Sequence, residues 1–189
     1  MPGAARPLPR RFFTRPPEIV APDLIGHWIM RRRGSRESRA QIVETEAYLG
    51  VNDPAAHARH GLTRRNAVLF GEPGHAYIYQ IYGMHLCLNV SAHVPGVAGG
   101  VLFRAAGDFS GPGRLTRGLA IAMPLNGCDL TAHGPLFLAR GDLGAACIAV
   151  TPRVGIRNGR EFPLRFYWEG HPAVTRPRGP VLERRRGLG

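Results

Sequence analysis

Short apolar runs, broken by Gly, Pro and Arg, recur along the chain, and most of them read as strands. Residues 18–30 carry apolar positions at mixed spacing. Pro22 fits the first turn of a short helix over Asp23-Leu24-Ile25-Gly26, and His27-Trp28-Ile29-Met30 follows as a strand. Arg31 to Ser35 is a basic turn, and Ala40 to Tyr48 returns as the paired strand. Gly50 to Gly61 reads as a loop and short helix, with Asp53-Pro54 as the start signal. Ala76 to Tyr82 is rich in aromatic and β-branched residues and resumes as His85 to Ser91, which predicts a hairpin with Tyr82-Gly83 at its tip. Gly100 to Ala105 is a further strand, and Ser110 to Leu119 opens a helix reaching Ala122. Asp129 to Ala139, Ala145 to Val150 and Leu164 to Trp168 read as more short strands. The pattern predicts one α/β (α+β) domain over residues 18–170, built on a curved, mainly antiparallel sheet with short helices. Residues 1–17 hold five Pro and four Arg and read as a flexible or loosely docked basic arm; residues 171–189 read as a basic tail.

The chemistry concentrates where an apolar strand ends in Glu44-Thr45-Glu46-Ala47-Tyr48. Alternation places Glu44 and Glu46 on one face and Thr45 on the other. Two such carboxylates fit a solvated strand face, or a general base that orients and deprotonates a water. Arg104 ends an apolar run, and a charge there needs a partner; Glu46 is the obvious candidate, with Glu44 the residue expected to matter less. The Gly, Pro and Arg residues from Ser110 to Leu119 fit a phosphate-holding helix start or a plain turn equally well.

Composition narrows the partners. The formal net charge is +12, which fits a polyanion. All 25 of the Lys-plus-Arg residues are Arg, so no lysine amine is available to form a Schiff base. Cys87, Cys128 and Cys147 are far apart and odd in number, and the His residues show no ligand spacing, so neither a disulfide framework nor a metal is expected. No apolar run is long enough to span a membrane and no secretory leader is evident; a soluble, intracellular protein is expected.

An ordered set of segments resembles the alkyladenine (3-methyladenine, N-methylpurine) DNA glycosylases. It comprises residues 43–50, Asp53 to His57, Thr63-Arg64-Arg65-Asn66, Gly74 to Asn89, Leu102 to Ala105, Gly111 to Leu115, Arg153-Val154-Gly155 and Pro163 to Tyr167. The resemblance implies that Glu46 is the general base for a water, which Arg104 and the Val154 carbonyl help to hold. It implies that Tyr48, His57 and Tyr79 sandwich a flipped base and that Asn89 crowds the N2 amino group of guanine. Tyr82, next to Gly83, would enter the minor groove; Thr63, Arg65, Asn66 and Arg114 would lie near the DNA. The implied function is hydrolytic excision of alkylated or deaminated purines from double-stranded DNA by a monomer without cofactor. Arg64, Leu69, Arg114 and a short segment between Ala106 and Gly111 depart from many relatives. A non-catalytic basic DNA-binding domain and a lyase-type glycosylase are the rival readings. Glu46 argues against the first, because a pure binder needs no carboxylate on its anion-binding face.

Overall fold

The computed structural model describes residues 5–81, 83–177 and 179–186. In chain order the strands are β1 (Trp28–Arg33), β2 (Arg36–Tyr48), β3 (Ala76–Ile81), β4 (His85–Ser91), β5 (Gly100–Ala106), β6 (Phe109–Ser110), β7 (Leu136–Ala139), β8 (Cys147–Thr151), β9 (Arg165–Trp168) and β10 (Glu183–Arg186). The helices are α1 (Pro17–Asp23) and α2 (Pro112–Gly118). The strands form one sheet in which every described pair is antiparallel, running β10-β8-β9-β2-β5-β4-β3. β1 pairs with the first half of β2 and with β7. The α+β architecture expected from the pattern is therefore present.

β2 organises the sheet. Residues 36–41 pair with β1, whereas Glu44 to Tyr48 lie between β9 and β5. One face of this central region buries Ala47, Ile78, Leu88, Val90, Val101 and Phe103 in the main core. α1 covers that face, and Thr45 Oγ1 donates to the Ala21 carbonyl at 2.8 Å. No helix among the described residues is long and apolar enough to cross a membrane.

Several local expectations need correction. The first helix starts at Pro17, whose fixed φ suits a first turn, and Pro22 falls inside it. A seven-residue helix loses only one internal hydrogen bond to that proline. The basic turn is shorter than expected, because β1 continues through Arg33. α2 ends at Gly118, short of Ala122. Of the run from Asp129 to Ala139 only the last four residues form a strand.

The expected arm is packed from Ala5 onward. Leu8 donates its N–H to the Leu138 carbonyl at 2.8 Å, and Phe13 is 0 % exposed. Burying one such ring contributes about 1.5–3 kcal/mol, more than a loosely docked arm would hold. The expected tail is likewise built in: Ala173, Val174 and Thr175 are buried, and β10 adds to β8. The domain thus extends past both proposed boundaries.

Candidate active site

The face of the sheet opposite the main core carries chemistry in place of aliphatic packing. Register places Glu46 opposite Leu102, Leu102 opposite Asn89, and Asn89 opposite Tyr77, so these residues form one line across four strands. A cavity of about 360 Å³ opens on this face. Tyr48, His57, Tyr79, Asn89, Arg104 and Val154 line it, together with Tyr77 and Cys87. Its size falls near the lower end of small-ligand pockets, about 300–1,000 Å³.

Both carboxylates are 0 % exposed, which overturns the solvated-face reading. Glu46 Oε1 accepts from the Val154 N–H at 2.8 Å and meets Arg104 Nη1 at 3.3 Å; its Oε2 accepts from the Tyr48 hydroxyl at 3.0 Å. Glu44 Oε1 accepts from Arg104 Nε at 2.9 Å, Arg165 Nε at 2.8 Å and the Thr175 hydroxyl at 2.7 Å. Glu44 Oε2 accepts from the Thr175 N–H at 2.7 Å. Removing two carboxylates from water costs several kcal/mol each unless they are paired and hydrogen-bonded, and two guanidiniums supply that compensation here. Arg104 is thus shared, not reserved for Glu46, and Glu44 is the hub of the network. Burial disfavours the Arg104 charge, but Glu46 and Glu44 outweigh it and raise its pKa.

A double irregularity in the ladder makes this sharing possible. Thr45 faces Phe103 and Glu44 faces Ala105, so Arg104 has no cross-strand partner; Val43 is skipped in the same way before Ile42 meets Ala106. Such bulges re-aim side chains. Simple alternation could not reveal them.

The Val154 amide reaches Glu46 because its neighbour is clamped. Arg153 donates to both oxygens of Asp53, at 2.5 and 2.8 Å, and to the Ala47 carbonyl at 3.0 Å. Asp53 also accepts the Leu49 and Ala55 amides at 3.1 and 3.0 Å. Burial pushes the Asp53 carboxyl up, but Arg153 and these amides outweigh it and hold its pKa below the usual value. Arg153 also lies 4.7 Å from the Tyr48 ring centroid. Sequence reading took Asp53 as a helix-start signal and missed this pair. Arg153, a lone charge just past the apolar run of β8, carried the same signal that marked Arg104.

The aromatic wall comes from β3 and a 3₁₀ turn at His57–His60. His57 Nδ1 lies 2.9 Å from the Tyr77 hydroxyl, and its ring meets Tyr79 edge-on at 4.4 Å. Tyr77 was not among the expected site residues; its place two before Tyr79 was the available clue. Burial, with Arg65 second, lowers the His57 pKa and keeps the imidazole neutral at physiological pH. Burial, then Glu46, raises the Tyr48 pKa, so Tyr48 remains a phenol that donates. Burial likewise raises Tyr79 and Cys87. Asn89 Nδ2 donates to the Tyr77 carbonyl at 3.1 Å, which fixes its amide in the wall.

The residues expected near DNA divide. Asn66 is 3 % exposed and bonds to the His57 and Gly61 carbonyls and the Thr63 amide, so it shapes the loop that presents His57 and is not a surface contact. Thr63 and Arg65 are exposed, and the Arg65 guanidinium lies 5.9 Å from the Tyr79 ring centroid. Gly83 lies in the β3–β4 turn and Arg114 is exposed on α2. A groove lined by Met84, His85 and Arg114 shares Ile81 and Pro112 with the cavity, joining hairpin and helix to its mouth. Tyr82 lies outside the described residues. The Val154 carbonyl, expected to hold a water, makes no contact here that assigns it that task; the bond observed is from the Val154 amide.

Known proteins resemble this chain along most of its length. The model of the methylpurine-DNA glycosylase family matches residues 11–108 and 107–172. A protein of Koribacter versatilis is 43% identical over 192 residues, covering 89% of this chain and 93% of its own length. One of Carboxydothermus hydrogenoformans is 42% identical over 189 residues, covering 89% and 98%, and one of Methanocella arvoryzae is 39% identical over 192 residues, covering 89% and 96%. All three are named “Putative 3-methyladenine DNA glycosylase”. With the family matched over most of the chain and relatives up to 43% identical along it, the chain belongs to the methylpurine-DNA glycosylases, which are DNA N-glycosylases.

Proposed function

We propose that the protein excises methylated and deaminated purines, including hypoxanthine and ethenoadenine, from double-stranded DNA by hydrolysis at Glu46. The observation that carries this reading is the fully buried Glu46 carboxylate, held directly behind a base-sized aromatic cavity by Val154, Tyr48 and Arg104, three residues that line it. A base inside a duplex is out of reach, so the target is flipped out, at a cost of a few kcal/mol of unstacking. Stacking on Tyr48, His57 and Tyr79 offsets that cost, at about 1–3 kcal/mol per base. Exposed arginines such as Arg65 and Arg114 supply salt-dependent backbone affinity.

The chemical step needs only a water. Its oxygen bonds to C1′ of the deoxyribose as the C1′–N9 bond breaks, and its proton passes to the Glu46 carboxylate. The bonding pair leaves with the base and neutralises a methylated purine that was cationic. An abasic site and a free base remain. Neutral lesions such as hypoxanthine need a proton on the departing ring, so cationic methylpurines are the easier leaving groups. Asn89, held against Tyr77, narrows the cavity against an N2 amino group.

The test is single-turnover excision on duplexes carrying 3-methyladenine, 7-methylguanine, hypoxanthine or ethenoadenine, by the parent and by Glu46→Gln. The variant should bind the damaged duplex as the parent does and lose about 10²–10⁴-fold in excision. Near-parental excision by Glu46→Gln would remove Glu46 from the mechanism, and absence of hypoxanthine release would restrict the enzyme to methylpurines.

A further inference from the structure

Behind Arg104, the carboxylate network closes on residues from the end of the chain. Ala173 and Val174 are buried, and Thr175 is 7 % exposed. The Thr175 hydroxyl donates to Glu44 Oε1 at 2.7 Å, and its N–H donates to Oε2 at 2.7 Å. The same hydroxyl accepts from Arg104 Nη2 at 3.3 Å and Arg165 Nη2 at 3.4 Å. Arg165 also grips the Thr175 and Pro177 carbonyls, at 2.8 and 3.0 Å. Glu44 and Thr175, like Glu46, stand outside the cavity lining, to which Arg104 contributes, and the family match stops at residue 172.

We propose that Thr175 is a positioning residue for the catalytic centre: through Glu44 it sets the Arg104 guanidinium so that Nη1 meets Glu46. The inference rests on the reading of Glu46 as the base. Arg104 sits at a bulge and has no cross-strand partner, so side-chain contacts, not the ladder, must fix its aim. Glu44, Glu46, Arg104 and Arg165 sum to zero charge, with Arg104 divided between the carboxylates at 2.9 Å to Glu44 and 3.3 Å to Glu46. How that division falls depends on how well Glu44 is served by other donors. Thr175 supplies two, and its hydroxyl can donate to the carboxylate while accepting from both guanidiniums. Valine fills the same space but can do neither. Without the hydroxyl, Glu44 draws Arg104 toward itself and away from Glu46.

If Arg104 retreats, Nη1 leaves Glu46 Oε1 and the carboxylate loses one of the three contacts that fix it, so the rate of the chemical step falls while DNA binding, which none of these buried groups serves, is kept.

The experiment compares the full-length parent, Thr175→Val, Thr175→Ser and Glu46→Gln on a 7-methylguanine duplex, by single-turnover excision, by duplex affinity and by thermal melting. Thr175→Val should lose about 10- to 100-fold in rate, the size expected for a small misplacement, with affinity kept within about 3-fold. Thr175→Ser, which restores the hydroxyl, should return the rate toward the parent. A folded Thr175→Val with parental rate would overturn the proposal, as would loss of the folded state in both Val and Ser variants, which would make Thr175 purely structural. If Glu46→Gln is inactive while Thr175→Val is normal, only the positioning role fails; if Glu46→Gln is active, the underlying reading of the base fails with it.

Discussion

Arg153 grips Asp53 through both terminal guanidinium nitrogens, and both side chains are 0 % exposed. The pair joins the loop after β8 to the end of β2 and so brings the Val154 amide onto Glu46. Asp53→Asn keeps the volume and leaves the Arg153 charge buried without its anion. Breaking one partner of such a pair typically costs about 3–5 kcal/mol. Urea unfolding should show a loss of that order, and excision should fall with it, because the Val154 amide is no longer held. The pH dependence follows from the lowered Asp53 pKa: the unfolded carboxyl protonates near 3.8 and the folded one below it. The contribution is therefore fully present above about pH 3.8 and is lost as pH falls through the folded value. Asp53→Asn should lack that acid-sensitive component; a variant as stable as the parent would show that the pair is not needed.

Glu44→Gln bears on the same network from the other side. Glu44 accepts four hydrogen bonds, two of them from guanidiniums. The amide keeps one acceptor oxygen but turns an NH₂ toward a donor and leaves the cluster one charge too positive. The expected outcome is destabilisation of about 3–5 kcal/mol and impaired excision. Unfolding and single-turnover assays run in parallel would check it, and a stable, fully active Glu44→Gln would mean that Arg104 does not depend on Glu44.

The sequence pattern gave Glu44 less weight than Glu46; its full burial and its four hydrogen bonds are what that pattern did not carry. Strand alternation correctly put Glu44 and Glu46 on one face, and aromatic enrichment located the β3–β4 hairpin. The sequence pattern also placed Arg104 next to the carboxylates. Burial of those carboxylates was not legible, because their compensating partners, Arg165 and Thr175, are 121 and 131 residues away from Glu44. Nor was the docked N-terminal segment. Five Pro and four Arg in 1–17 read as an arm, whereas a few apolar positions among them, Leu8 and Phe13 above all, decide its packing. Composition averages over a segment, and docking is settled by single anchors.

His57 gives a second pH-dependent term, with its own window. Burial, then Arg65, lowers its pKa below 6.5, so the unfolded chain takes up this proton first as pH falls. The stability that depends on neutral His57 is complete above about pH 6.5 and is lost as pH falls from there toward the folded value. His57→Asn keeps an acceptor near the Tyr77 hydroxyl but cannot titrate. Urea midpoints at about pH 7.5 and pH 5.5 should therefore differ less for His57→Asn than for the parent. The lowered pKa values of His27 and His171 leave a residual slope in both proteins. Equal slopes in parent and variant would show that His57 ionises alike in the folded and unfolded chains.

The last prediction is that the enzyme leaves the strand uncut. Lyase-type glycosylases attack the sugar C1′ with an amine that becomes a Schiff base. The sequence contains no Lys among its 189 residues, which leaves an N-terminal amine as the rival to water. An attacking group must be held in a near-attack geometry. The described chain is anchored from its start: Ala5 packs against the Met30–Phe137 cluster, the Arg6 carbonyl accepts from the Arg140 N–H at 2.9 Å, Pro7 bridges Ala139, and Leu8 bonds to Leu138 of β7. β7 pairs with β1, and β1 pairs with residues 36–41 of β2, whereas Glu46 belongs to the other half of that strand. The described part of the N-terminal segment is thus anchored at β7, away from the half of β2 that carries Glu46, whose three partners Val154, Tyr48 and Arg104 line the cavity. Borohydride added during turnover should trap no covalent protein–DNA complex, and the product strand should break only on later treatment with alkali. Because Leu8 and Phe13 belong to the packed structure, the control removes residues 2–4 only. A trapped complex that disappears in that control would assign the attack to the N-terminal amine and displace the water from the mechanism.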